Sequence, residues 1–343
     1  MTSARPAAVK AGLIGYGYWG PNLARNLAES DGFVLAAIAD ARPERRDLAA
    51  RRHPGVPSCA DARALLDRDD VEAIVVATPL ATHYGLARAA IERGKHVLVE
   101  KPLAASRAEA EDLTARADAR GVRLMVDHTF VYNGAVRAVR SLVDAGELGD
   151  LLYLDSVRVN LGLFQQDSNV VWDLAAHDLA ILDHLIGERP VAVSASGSAM
   201  AGYSHENIAY ITVHYASGFL AHFHVNWLAP VKIRHMLIGG RQRMLVYDDM
   251  EPSEKVKVYD KGVDIDVQDE EARRQVFISY RTGDMHAPKI DRREALSRVV
   301  EEFAASIAGR RAPLTDGAAG IRVVSMLQAA EQSLRGEGRR ITL

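Results

Sequence analysis

Cysteine is nearly absent: Cys59 stands alone in 343 residues. That excludes an intramolecular disulfide and any multi-cysteine zinc site, and it predicts a reducing, cytoplasmic setting. Charge of one sign is lacking too, since 42 Lys+Arg against 45 Asp+Glu leave a net −3. A nucleic-acid binder of this size would carry a basic excess, so none is expected as a partner. No apolar run reaches the roughly 20 residues of a membrane span, and the opening Met-Thr-Ser-Ala-Arg-Pro does not read as a leader. Internal repeats and low-complexity tracts are missing as well. What remains is 48% hydrophobic and 25% charged, the balance of a globular chain. Its length exceeds one core of about 100–200 residues, so two domains are expected.

The first third alternates apolar runs with amphipathic segments. Residues 9–15, 33–40, 71–77, 96–99 and 124–126 read as strands. Gly20-Pro21 opens a helix that buries Leu23 and Leu27, and Pro43 starts another. Thr82 is expected to cap a third that stops at Gly94, and Ser106 with Glu109 forms a capping box for a fourth, ending at Gly121. Alternation at this spacing, with near-continuous apolar strands, predicts a parallel sheet covered on both faces. After about residue 150 the rhythm changes. Segments 152–160, 192–198, 208–215, 219–227, 232–238, 243–247 and 255–259 read as strands, with a turn at Ser217-Gly218 and one helix around 172–186. This predicts an antiparallel sheet domain, closed by helices over 292–308 and 318–333.

The candidate chemistry gathers at strand ends. Gly15-Tyr16-Gly17-Tyr18-Trp19-Gly20 is a G-x-G-x-x-G between a strand and a helix, where backbone N–H groups and the helix N-terminus receive a pyrophosphate. Twenty residues beyond Gly20, Asp40 ends the second strand, placed to accept ribose hydroxyls. Together they predict a dinucleotide, NAD rather than NADP because a carboxylate repels a 2′-phosphate. A structural turn with a capping Asp40 is the plainer alternative. Arg42, Arg45 and Arg46 could take that phosphate instead, but a solvated helix face is the preferred reading. Tyr16 and Trp19 either shape the cofactor mouth or pack on a neighbouring domain. The remaining strands end in Thr78-Pro79, Glu100-Lys101-Pro102 and Asp127-His128, and ligands bind at such carboxyl ends. A cis Lys101–Pro102 bond is open from sequence. In the later helix Asp173 and His177 lie four apart on one face, about 6 Å along the axis. An imidazole there suits proton transfer at neutral pH, and a lysine can polarise a hydroxyl; a helix ion pair is the plainer alternative. His222, His224 and Asn226 alternate with Phe223, Val225 and Trp227. A polar face at a subunit contact is preferred over a metal site, so no metal is expected.

These residues together resemble the Gfo/Idh/MocA family of dinucleotide-dependent oxidoreductases. The resemblance runs over essentially the whole chain. It rests on the Gly15–Gly20 loop, Ala77-Thr78-Pro79 with His83, the run Gly94 to Pro102 ending Glu100-Lys101-Pro102, Asp173-x-x-x-His177-Asp178, and Pro313-Leu314-Thr315-Asp316-Gly317. It implies an α/β fold: a Rossmann domain over 1–130, then an α+β substrate domain over 131–343 with a large, open, mostly antiparallel sheet. Helices at about 292–335 are expected to pack back toward the first domain. It also implies Lys101 and His177 as the catalytic pair with Asp173 assisting. The cofactor set it implies is Gly15, Gly17, Tyr18, Trp19, Gly20, Asp40, Thr78, Pro79, His83, Glu100 and Lys101. A homodimer or homotetramer through the open sheet is implied as well. Tyr18-Trp19-Gly20-Pro21-Asn22, the stretch from Ile238-Gly239-Gly240 to Tyr247-Asp248-Asp249, and Tyr280-Arg281-Thr282-Gly283-Asp284 are similar to members that oxidise the 3-hydroxyl of nucleotide-linked sugars. Lys232, Arg234, Arg241 and Arg281 are then candidate diphosphate ligands, each also readable as an ordinary surface residue. Oxidation of a cyclitol or free sugar, reduction of a keto-deoxysugar, and non-catalytic binding by a regulator are the alternatives.

Overall fold

Ala11, Leu13, Ile74, Val75, Val97, Leu98 and Val99 are fully buried, as strands covered on both faces must be. In the computed structural model, which describes residues 8–162, 168–265 and 278–343 (side chains at 263–265 and 278–282 aside), they belong to one parallel sheet. Its strands are β1 (Val9–Ile14), β2 (Phe33–Ala39), β3 (Ser58–Cys59), β4 (Ala73–Val76), β5 (His96–Glu100) and β6 (Leu124–Asp127). The order β3-β2-β1-β4-β5-β6 reverses direction between β1 and β4, where doubly wound sheets open their ligand crevice. Helices α1 (Gly20–Glu29), α2 (Pro43–Arg52), α3 (Ala62–Leu66), α4 (His83–Glu92) and α5 (Arg107–Arg120) connect them. The short edge strand β3 and helix α3 were not expected from sequence. Pro21 lies in the first turn of α1, and the Ser106 hydroxyl accepts from the Glu109 N–H. Thr82 does not cap α4, contrary to expectation. Its hydroxyl donates to the Pro79 carbonyl and accepts from the Thr78 hydroxyl, because a 3-10 turn over Leu80–Thr82 precedes the helix.

The second unit begins with α6 (Gly134–Asp144), which the sequence reading did not include. Then come β7 (Leu151–Leu161), a π-helical turn (Val171–Ala175), α7 (Ala176–Leu185), β8 (Pro190–Ser198), β9 (Ile208–Tyr215), β10 (Leu220–Asn226), β11 (Leu228–Gly240), β12 (Met244–Asp248), β13 (Val256–Ile265) and β14 (Ile278–His286). With the closing β15 (Ile341–Thr342) they form a nine-stranded sheet in the order β14-β13-β12-β11-β7-β10-β9-β8-β15. All of its pairs are antiparallel except β7 with β10. One face carries Leu154, Phe223, Val225, Met236 and Ile238, all buried, and meets Val136 and Val139 of α6 and Ile181 and Leu185 of α7. Trp227, just beyond β10, is buried too. The other face keeps Tyr210, His222, His224 and Ile233 partly exposed.

After β14 the chain adds α8 (Ala295–Ala308) and α9 (Gly317–Arg335). Two compact units result: Met1–Tyr132 with Arg293–Gln328, and Asn133–Arg292 with Ala329–Leu343. In the first, Phe303 of α8 stacks on Phe33 at 5.6 Å between centroids, and both Arg25 terminal nitrogens donate to Glu294 at 3.0 and 2.6 Å. Ahead of α9, Thr315 exchanges hydrogen bonds with the Val126 backbone, which ties the C-terminal segment to β6.

Candidate active site

In the first unit each glycine of the loop has a separate physical task. Gly15 sits at φ +97°, a left-handed conformation, and a Cβ there would lie 2.3 Å from the Ala77 carbonyl oxygen. A Cβ on Gly20 would lie 2.3 Å from the Gly15 carbonyl oxygen, so α1 starts close against the end of β1. A Cβ on Gly17 would meet only Arg42 Nη2, at 3.5 Å. The open cradle therefore lies in front of Gly17. No side chain caps the N-terminus of α1 and no acid lies in its first turn, leaving the positive end of the helix for an anion. A dinucleotide pyrophosphate fits that donor set. Tyr18 and Trp19 beside it are 79% and 41% exposed and pack edge to face. Tyr16 instead is fully buried against His53, so it is a packing residue.

Asp40 accepts the Tyr16 N–H at 2.7 Å and the Arg42 N–H at 2.9 Å, and the Arg42 guanidinium grips both of its oxygens. Burial opposes its charge, yet the Arg42 guanidinium and the two backbone N–H groups hold the carboxyl below the usual carboxylate range. Arg42 is half exposed, as on a solvated face, and its guanidinium is also engaged by Asp40. Arg46 is likewise engaged, on the Asp40 and Ala41 carbonyls, and Arg45 is half-buried. With its charge met by Asp40, Arg42 is poorly suited to a 2′-phosphate.

The ends of β4, β5 and β6 lie side by side. His83 is buried, and its ring nitrogens sit 2.8 Å from the Thr78 and Pro102 carbonyl oxygens, joining the ends of β4 and β5. Thr78, Pro79 and His83 therefore come together with the cis Lys101–Pro102 peptide. Glu100 is buried opposite Asp127, and His128 is buried just beyond. Burial, then repulsion from Asp127, pushes the Glu100 carboxyl well above its ordinary value.

In the second unit the π-helical turn and α7 carry Asp173 and His177. The regular α-helical spacing expected for this pair gives way to a π turn at Asp173. Around them Val171, Trp172, Ala175, Ala176 and Asp178 are buried, while Asp173, Leu174 and His177 stay half-buried. Trp227 Nε1 donates to Asp173 Oδ2 at 3.0 Å, and the Asn169 side chain accepts the Val171 and Trp172 N–H groups. Asp178 turns inward: Arg158 of β7 donates to its Oδ1 at 3.0 and 2.6 Å, and Ser156 to its Oδ2 at 3.0 Å. Trp227 and Arg158 were missed as supporting residues. Arg158 sits on β7 and Trp227 just beyond β10, where alternation signals only core, so their partners are chosen by tertiary packing.

Among the proposed diphosphate ligands, Arg234 pairs with Asp249 at 3.2 Å and Arg241 lies 3.6 Å from Asp150. Lys232 is exposed beside Arg234, whose charge lowers its pKa. The Arg281 side chain lies outside the described residues. Among those residues no group of three or more His, Cys, Asp or Glu is arranged for a metal. Among the described residues no helix is long and apolar enough to cross a membrane.

Two family models match the chain. One, an oxidoreductase family with an NAD-binding Rossmann fold, matches residues 9–128, and the other, a GFO/IDH/MocA C-terminal domain, residues 136–247. Over 331 residues the chain is 28% identical to UDP-N-acetylglucosamine 3-dehydrogenase of Acidithiobacillus ferrooxidans, covering 92% of this chain and 94% of that protein. It is 34% identical to dTDP-3,4-didehydro-2,6-dideoxy-alpha-D-glucose 3-reductase of Streptomyces violaceoruber, over 44% of this chain and 46% of that protein. Of several other curated relatives, too, the chain spans about half the length. A crystal structure of an oxidoreductase from Magnetospirillum magnetotacticum superposes with a TM-score of 0.80 at 31% identity, over 94% of this chain and 99% of that one.

Proposed function

Because the chain belongs to the Gfo/Idh/MocA family of NAD-binding oxidoreductases, we propose that it oxidises the 3-hydroxyl of a nucleotide-linked sugar. The reading rests on one observation above others. Glu100-Lys101-Pro102 closes β5, two strands from β1 and its glycine cradle in the same parallel sheet, in a chain similar along nearly its full length to a UDP-sugar 3-dehydrogenase.

NAD, when bound, supplies the hydride acceptor. The protein's own residues do the rest. Gly15, Gly17 and Gly20, with the N-terminus of α1, hold the pyrophosphate. Tyr18 and Trp19 flank it, Asp40 binds the adenosine ribose, and Thr78, Pro79, His83 and Glu100 shape the ring end. The Lys101 ammonium orients and polarises the substrate hydroxyl. His177 accepts its proton, and Asp173, fixed by Trp227, balances the charge. Lys232, with Arg234 and Arg241, is the source of cations for a diphosphate. The reaction belongs to the cytoplasm, and the open face of the nine-stranded sheet joins copies of the chain.

Purified protein incubated with NAD and a panel of UDP- and dTDP-sugars should form NADH and a product two hydrogens lighter. Lys101→Ala and His177→Asn should each lower kcat by about 10²–10⁴-fold while NAD binding persists. Turnover of myo-inositol alone would overturn the nucleotide-sugar reading. The similarity to a dTDP-sugar 3-reductase favours one second reading, the reverse reduction of a keto-sugar; NADH consumption with a 3-keto-sugar at far higher kcat/KM would establish it.

A further inference from the structure

A hydrogen-bonded ring in the second unit closes through Glu206, Asn169, Asp173, Trp227 and Asn207. Glu206 and Asn207 end the loop between β8 and β9, and Trp227 follows β10. Asn169 Nδ2 donates to Glu206 Oε2 at 3.1 Å, and the N–H of the next residue, Val170, donates to the Glu206 carbonyl at 2.9 Å. Asp173 is then held twice. Its N–H donates to the Asn169 carbonyl at 3.2 Å, and its Oδ2 accepts from Trp227 Nε1 at 3.0 Å. The Trp227 N–H donates to the Asn207 carbonyl at 2.9 Å, beside Glu206, and completes the circuit. Trp227 and Asn207 are fully buried and Asn169 is 6% exposed. Asn207 locks the loop on itself, its side chain bonding both the N–H and the carbonyl of Met200. Asn169 Oδ1 accepts the Val171 and Trp172 N–H groups at 3.1 and 3.3 Å. One side-chain amide thus grips the loop with its nitrogen and the π turn with its oxygen.

We propose that Glu206, acting through Asn169, is a positioning residue for Asp173, so that the loop between β8 and β9 takes part in building the active site. The inference rests on the role given to Asp173 in the proposed function. A single widened turn competes with plain α-helix, and such turns are rare. At Val171–Ala175 the turn is anchored at its start by Asn169 and at the Asp173 carboxylate by Trp227. Both anchors lead back to neighbouring residues of one loop, Glu206 and Asn207. The loop therefore sets the distance between them. Removing the Glu206 carboxylate takes away the acceptor of the Asn169 amide and opens the ring at that point. Asn169 is then free to rotate, and the N–H groups it holds move with it. Displacing a catalytic group by about 1 Å costs on the order of 10²-fold in rate.

Hydrogen–deuterium exchange of the full-length protein tests the ring without any substrate. In Glu206→Ala the amides of residues 170–173 should exchange faster than in wild type. Glu206→Gln keeps an acceptor oxygen and should restore the wild-type rate. Steady-state kinetics then tests the positioning role. In Glu206→Ala, kcat should fall by about 10–10²-fold with KM for NAD unchanged, and Glu206→Gln should recover it. Asn169→Ser is the second route: its hydroxyl still accepts the turn's N–H groups but is too short to reach Glu206. It should match Glu206→Ala in kcat, and the double variant should be no slower than either alone. Exchange unaltered in both Glu206→Ala and Asn169→Ser overturns the ring as the hold on the turn. Faster exchange at wild-type kcat, or a loss that Glu206→Gln does not recover, overturns the positioning role. The kinetic comparison uses whichever sugar or cyclitol the wild type oxidises. Turnover of a cyclitol alone would therefore remove the nucleotide-sugar reading and leave this test intact.

Discussion

His128 lies buried at the end of β6 with neither ring nitrogen hydrogen-bonded among the described residues. Burial, with Lys101 and Arg322 nearby, takes its pKa down to about 3. In the unfolded chain an imidazole titrates near 6.5, so between these values the unfolded chain binds more protons and stability is lost as pH falls. His184, lowered by burial to about 4, acts with the same sign in the second unit. His128→Asn should therefore lose less Tm than wild type on acidification from about pH 7 to about pH 5, followed by circular dichroism; equal slopes would contradict this. Asp127 has the opposite sign: raised to about 6, it costs stability as pH rises through that value. At the cradle, Gly20→Ala would press a methyl into the Gly15 carbonyl and should weaken NAD by about tenfold or more in calorimetry. The glycine loop and Asp40 were legible because their spacing along the chain is itself the signal. Arg42 was not, since only the turn after β2 brings its guanidinium back onto Asp40.

Among the elements, α7 is fixed to β7 by the buried Asp178–Arg158 pair, with both side chains under 5% exposed. Removing one partner strands the other charge in the interior. Arg158→Met or Asp178→Leu should thus cost about 3–5 kcal/mol in denaturant unfolding, while substitution of a surface pair such as Arg88–Glu92 should change little. The parallel strands were readable because each is a short apolar run between helix signals. Helix α6 was missed although Asn133 caps it and Ala135, Val136, Val139 and Leu142 are buried. Its signal fell where one sheet pattern gives way to the other. The π turn at Asp173 could not be read, since a sequence written for an α-helix accommodates one widened turn when neighbours such as Trp227 and Asn169 hold it.

At the scale of the whole molecule, the outer face of the nine-stranded sheet keeps large side chains partly exposed among the described residues. Tyr210 stacks on His224 at 4.6 Å between ring centroids and remains 42% exposed, with Ile233 37% exposed. Exposed aromatic and β-branched residues on a broad sheet suit a self-complementary contact. Light scattering should find the wild type at twice its chain mass or more, and Tyr210→Asp with Ile233→Glu as a monomer; a monomeric wild type would contradict the assembly. Hydride transfer from a nucleotide-linked sugar is the claim on which the other readings depend. A UDP- or dTDP-sugar carrying deuterium at C3, incubated with the protein and NAD, tests it most directly. The expected result is deuterium at C4 of the nicotinamide and a 3-keto sugar nucleotide, both lost in Lys101→Ala. Deuterium transfer from a labelled cyclitol, with none from any nucleotide-linked sugar, would contradict it.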